Sequence, residues 1–460
     1  MRKRFAYFIL FFLLGYITLG ELYFALSIGI SGYFLMRIIL ESNRVFAFRE
    51  WALFLYAINY LFSPALTYQL DQALLSYPMK IASADYFTIA IPGFLCFYVG
   101  MYVFKTRIFN PSLVKLKMDS RNNESILIGF IVIGVFLRSV GSVFTSELGF
   151  FVYLISLVRF VGAFGLFSYN PTKYWKWVAG LLILELYFGA IVAMYHDAVM
   201  WILFFALYYV YISKPSIGVR LIGLTGCVLF ILFVQGLKGA YRSKISETGT
   251  SNLGLIIETS SEVSDDIGSE DNILGSLNRG NQAWIFASVK DRMDRVGDFQ
   301  GLHILGIYLE SALLPRILAP DKLKSGDKKI FNAFSGHQIN QNTSMGLGVF
   351  ADGYIAYGYW GVMFFAFGLG LLFNLTFRII ESWANLSEFF VLMVLPILNY
   401  AVRPDCELQT IINHLTKGLI VFGVLVTLTK FNFVVNSGGM KSVRLKRIAL
   451  PNLKSIENLK

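Results

Sequence analysis

The chain has 460 residues, of which 56% are hydrophobic, 16% aromatic and only 15% charged, with a formal net charge of +11. That balance lies well outside the range of soluble globular domains and excludes them. What remains is an all-α polytopic membrane protein, since a backbone in hydrocarbon must satisfy its own polar groups.

Apolar runs of roughly 17 to 25 residues are long enough to cross the hydrocarbon core as helices. Twelve are predicted, at 5–20, 22–40, 51–66, 86–104, 125–145, 149–168, 177–195, 198–213, 218–236, 359–377, 388–403 and 409–429. The first has no small-residue cleavage pattern and is followed at once by the second, so it reads as a retained helix. With the Arg2-Lys3-Arg4 end inside, the inner segments hold 22 Lys and Arg, whereas the short outer loops hold two, Lys80 and Arg403. Basic residues in short loops stay cytoplasmic, so both termini are expected inside. The positive charge then reflects topology and attraction to lipid headgroups, not nucleic-acid binding. The expected organisation is spans one to nine in 1–236, a large outer loop in 237–345, spans ten to twelve in 346–430 and a basic cytoplasmic tail in 431–460.

Within the spans, Trp51, Trp175, Trp177, Trp201 and Trp360 fall near predicted ends and read as an interfacial belt. Arg159 and Glu185 lie at similar depth, roughly 15 Å from the outer end of adjacent spans, and are expected to pair. Arg138 lies nearer the outer surface, and Arg37 is expected to snorkel to the inner interface. Cys96, Cys227 and Cys406 indicate no disulfide framework.

The 237–345 segment breaks the pattern of short connections. Its 109 residues hold 12 basic and 13 acidic side chains, and a loop of that length is expected to fold over the membrane surface. Its first part, SETGTSNLGLIIETSSEVSDDIGSED, reads as polar, acidic and mobile. After it, Ile273, Leu274, Leu277, Trp284, Ile285, Val289 and Met293 line one helical face, and LHILGIYLESALL makes a second amphipathic helix ending at Pro315.

Common catalytic signatures are absent. There is no Walker loop, GxGxxG, HExxH or CxxC, and His196, His303, His337 and His414 are far apart, so no metal and no cofactor is implied. What the outer face does offer is cations. Lys238 and Arg242 share a helical face just beyond span nine, Arg403 sits beside Asp405 in the last outer turn, and Arg279, Arg316 and Lys322 lie in the large loop. Cations at headgroup depth suit a lipid-linked pyrophosphate, because guanidinium groups hold phosphate oxygens bidentately.

LLPRILAPDK, followed about thirty residues later by SMGLGVFADGYIAYGYWGVMFFAFGLG, resembles the end of the large outer loop in Wzy-type oligosaccharide repeat-unit polymerases. The residues that match are Pro315, Arg316, Pro320, Asp321 and Lys322, then Asp352, Tyr354, Tyr357, Gly358 and Gly361, with Arg403 in the last outer turn. The resemblance implies a membrane glycosyltransferase of GT-C-like architecture in the cytoplasmic membrane. It would join polyprenyl-diphosphate-linked repeat units of O-antigen, capsule or exopolysaccharide, with a flippase and a chain-length regulator of the same pathway as partners. On this expectation Lys238, Arg242, Arg279, Arg316, Lys322 and Arg403 bind substrate, and His337 or Asp352 takes the acceptor proton. The alternatives are an O-antigen ligase, whose His lies nearer its Gly-x-x-Gly than His337 does to Gly358, and a flippase or other transporter.

Overall fold

Long apolar segments leave backbone polar groups no partner but one another, and the computed structural model answers with helices alone, without a strand among the described residues. Those residues are 2–44, 46–75, 77–106, 121–143, 146–191, 195–248, 253–265, 269, 274, 275, 277, 280–314, 318, 319, 321–323, 326, 328–339 and 345–433.

Helices α1 (Arg2–Leu19) and α2 (Leu22–Glu41) pack as a hairpin turned at Gly20, whose φ is 75°. Next, α3 (Phe48–Ala57) passes through a π turn (Ile58–Phe62) into α4 (Ser63–Thr67). Pro64 explains the turn. It has no N–H for the carbonyl of Tyr60 four residues back, and the Tyr86 hydroxyl donates to that oxygen instead at 2.8 Å. There follow α5 (Ser83–Met101), α6 (Arg121–Val140), α7 (Ser146–Ser156), α8 (Val158–Tyr169), α9 (Pro171–Ile191), α10 (His196–Ser213) and α11 (Ile217–Thr248). The segment between the ninth and tenth expected spans carries α12 (Leu253–Asp265), α13 (Ala283–Val296), α14 (Gly301–Leu313) and α15 (Lys328–Ser335). The chain closes with α16 (Val349–Ala384), α17 (Val394–Leu398) and α18 (Leu408–Phe433).

Among the described residues nine helices are long and apolar enough to cross a membrane: α2, α5, α6, the α7–α8 unit from Leu148, α9, α10, α11, α16 and α18. The expected first and eleventh spans correspond to shorter apolar helices, Phe5–Leu19 and Phe389–Leu398. The expected third corresponds to α3, the π turn and α4 in series.

Among the described residues the pairing of α5 with α16 is the most extensive between helices. Glycines allow it: a Cβ on Gly100 would lie 2.3 Å from the Phe367 carbonyl oxygen, and one on Gly370 would lie 2.2 Å from that of Phe97. Helix α16 is itself two pieces, broken at Tyr357 and at Gly358, whose φ of 57° suits glycine. Gly353 and Gly361 would be about 12 Å apart along a straight helix. Instead, a Cβ on either would strike the other's carbonyl, so Val349 to Ala356 doubles back on the longer piece. The Gln300 N–H bonds the Ile355 carbonyl at this break, at 2.9 Å.

Two expectations change. The acidic stretch after α11 is not without structure: α12 places Glu258 and Glu262 one turn apart, and both pair with Lys244 at 2.9 and 2.8 Å. Trp201 is not in an interfacial belt; it is 1% exposed and stacks on Phe160 with centroids 3.6 Å apart. The Arg37 guanidinium is held by Glu50, brought across from α3, at 2.7 Å. The expected Arg159–Glu185 pair does form and is buried, with Arg138 3.9 Å from the same carboxylate.

Candidate functional site

Helix α11 continues three turns past its apolar run, and this extension carries Lys238 and Arg242 on one face. Both line a cavity of about 470 Å³ together with His196, the first residue of α10, and the turn between α17 and α18 from Tyr400 to Glu407. Tyr77, Gln235, Gln282, Ile285, Gly326, Met345, Gly346 and Thr410 line the rest. The bundle runs back and forth, so these contributions, although far apart in sequence, all arise at the same helix ends. The helix N-terminus at His196 opens there too, adding a positive dipole end to the cations.

The Arg403 fork grips Asp405, with Nε donating to Oδ1 at 3.1 Å and Nη2 to Oδ2 at 2.7 Å, while its guanidinium carbon lies 4.4 Å from the Tyr400 ring centre. Asp405 is deep in the protein, yet its side chain is 38% open to the cavity. Burial would raise its carboxyl, but the Arg403 charge and hydrogen bonds outweigh that and hold it well below the usual carboxylate range. Asp405 is therefore an anchor for Arg403 and a poor proton acceptor. Behind this turn the Tyr60 hydroxyl donates to the Pro404 carbonyl at 3.1 Å, and the Tyr60 ring stacks on Phe350. The lining holds three cations, Lys238, Arg242 and Arg403, against the carboxylates Asp405 and Glu407, a balance that favours an anion.

The large loop reaches this cavity through hydrogen bonds that its sequence does not announce. The Gly326 N–H donates to Glu407 Oε1 at 2.6 Å, and Gln409 Nε2 donates to Ser311 Oγ at 2.7 Å and to the Leu323 carbonyl at 3.2 Å. Gly326 thus lies against the turn that holds Arg403, and Leu323 against the start of α18. Lys322 Nζ bonds the Leu314 carbonyl and does not line the cavity. Arg279, Pro315, Arg316 and Pro320 lie outside the described residues.

Neither expected base lines the cavity. Asp352 is fully buried and both its oxygens are taken: Tyr308 Oη donates to Oδ1 and the Leu408 N–H to Oδ2, each at 2.8 Å. It joins α14 to α16 and caps the start of α18. His337 lies 3.0 Å from Ser288 Oγ and meets the Trp284 ring edge-on. Burial, and secondly the charge of Lys80, lower its pKa and keep it neutral. The histidine that does face the cavity is His196, which is exposed there. Sequence reading passed over it as one of four scattered histidines; the available signal was a polar Tyr-His-Asp turn between two spans on the side where the other cations lie.

Comparison with protein-family models, curated proteins and solved structures finds no match for the chain.

Proposed function

We propose that the chain is a polymerase of polyprenyl-diphosphate-linked oligosaccharide repeat units, working on the outer face of the cytoplasmic membrane. In this reading it has twelve spans, both termini are cytoplasmic, and 237–345 lies outside between spans nine and ten. The observation that supports the reading is the convergence of Lys238, Arg242 and Arg403 on one cavity at helix ends, beside a loop bearing the Pro-Asp-Lys stretch. A hydroxyl of the acceptor sugar attacks the anomeric carbon of the donor, and the carbon–oxygen bond to the lipid diphosphate breaks. The hydroxyl proton passes to His196, an imidazole that desolvation and the Arg403 charge make less basic and keep neutral in the free protein, and the three cations hold the charge that develops on the diphosphate.

Deleting the gene and separating the surface glycan by gel tests the reaction class: single repeat units remain if the chain polymerises. Lipid-linked full-length polymer would indicate a ligase instead, and loss of all surface glycan a flippase. Complementation then tests the site. Arg242→Lys keeps the charge but loses the planar fork, and polymer yield should fall about tenfold or more, as expected for a lost charge-assisted hydrogen bond. His196→Gln should abolish polymer while membrane levels hold; wild-type yield from that variant would remove His196 from the role of base.

A further inference from the structure

The cavity has a second wall of different chemistry. Tyr77 lies with its ring parallel to that of Trp284, centroids 4.3 Å apart, so one face is covered, yet Tyr77 is 41% exposed and lines the cavity. Trp284 cannot move aside. It is 4% exposed and meets His337 edge-on, and three residues earlier Asn281 donates to Thr67 Oγ1 at 3.0 Å and lies 3.7 Å from Met79 Sδ. Thr67, Tyr77 and Met79 are therefore each tied to the 281–284 stretch, which fixes the Tyr77 ring. Between these ties stands Gln282, 9% exposed and in the cavity lining, whose Oε1 is buried and has no hydrogen-bond partner among the described residues. A buried amide oxygen without a donor is costly unless something supplies one. A rigid aromatic face beside an unsatisfied acceptor is the chemistry that a sugar ring matches, with an apolar C–H face for stacking and hydroxyls around its edge.

We propose that Tyr77 and Gln282 form a pyranose subsite, in which the open Tyr77 face stacks on the sugar ring and Gln282 Oε1 accepts from one of its hydroxyls. The inference rests on the polymerase reading, and it places the sugar next to the anion held by the cationic wall. Trp284 and His337 act as positioning residues that hold Tyr77.

The test uses the full chain in lipid nanodiscs and two probes: the repeat-unit oligosaccharide released from the surface glycan of the parent strain, and inorganic pyrophosphate. Saturation-transfer NMR and tryptophan fluorescence report binding. Tyr77→Ala and Gln282→Leu should each weaken the oligosaccharide about tenfold, on the scale of one stacking or hydrogen-bonding contact. Tyr77→Trp should keep it, and all three variants should bind pyrophosphate like the parent protein, which also reports that they fold. Arg242→Gln should lose pyrophosphate. If the parent protein binds pyrophosphate but not oligosaccharide, or if Tyr77→Ala binds oligosaccharide unchanged, the subsite is wrong and the lipid-diphosphate reading stands. Failure of both probes on the parent protein would overturn the two together.

Discussion

Arg159 and Glu185 pose the plainest residue-scale problem, two opposite charges 1% and 3% exposed in the middle of an apolar bundle. Their attraction offsets a desolvation cost that neither charge could bear alone, and Arg159 Nη1 adds hydrogen bonds to the Ser156 carbonyl at 2.6 Å and to Ser156 Oγ at 2.8 Å. Breaking such a pair from one side costs about 3–5 kcal/mol, whereas replacing both partners with apolar groups of similar volume is often close to neutral. Arg159→Met should therefore lower the melting temperature of the detergent-solubilised protein sharply, and Arg159→Met with Glu185→Leu should recover most of the loss. Failure of the double variant to recover would mean that the pair does more than neutralise itself. The pair was readable from the sequence because depth along a helix is counted at fixed rise. The role of Asp352 was not, since its partners Tyr308 and Leu408 are 44 and 56 residues away.

Among elements, the crossing of α5 and α16 depends on side chains that are absent. Gly100 and Gly370 meet backbone on each other's helix, so an added side chain cannot be relieved by a rotamer change. Gly180 in α9 has nothing within 4 Å of the position of a Cβ. Gly100→Val should cost about 1–3 kcal/mol or more through overpacking, and Gly180→Ala should gain about 0.5–1 kcal/mol through helix propensity. Thermal melts followed by size-exclusion of a fluorescent fusion distinguish the two; equal effects would mean that the crossing is looser than its geometry. The same scale explains α12. Its Glu258 and Glu262 have helical spacing in the sequence, but Lys244, which pairs with both, belongs to the preceding helix.

Across the described residues, two polar clusters lie apart from the buried Arg159–Glu185 pair. One lines the cavity with its cations and His196. The other ties α2, α3 and α5 through Arg37, Glu50 and Tyr102, with Arg49 lying over Tyr102 and over Phe377 of α16. The proposed orientation makes a direct prediction: a reporter active only outside the cytoplasm should be active when fused near residue 260 and inactive near residues 115 and 445. Activity at 445 would break the twelve-span arrangement.

The sequence by itself determined the membrane class, the position of nearly every apolar helix and the partnership of Arg159 with Glu185, because hydropathy and helical rise act over one to a few turns. It also marked Lys238, Arg242 and Arg403, since cations stand out at the ends of apolar runs. Only the tertiary structure decided that these three share one cavity, that the Asp352 carboxylate is consumed by a cap, that Trp201 is core, and that Tyr77, His196 and Gln282 face the same space. Those facts follow from which helix ends meet and from how Pro64, Gly358 and the Gly100–Gly370 crossing bend and seat the helices. Such meetings join residues hundreds of positions apart, and no local pattern encodes them.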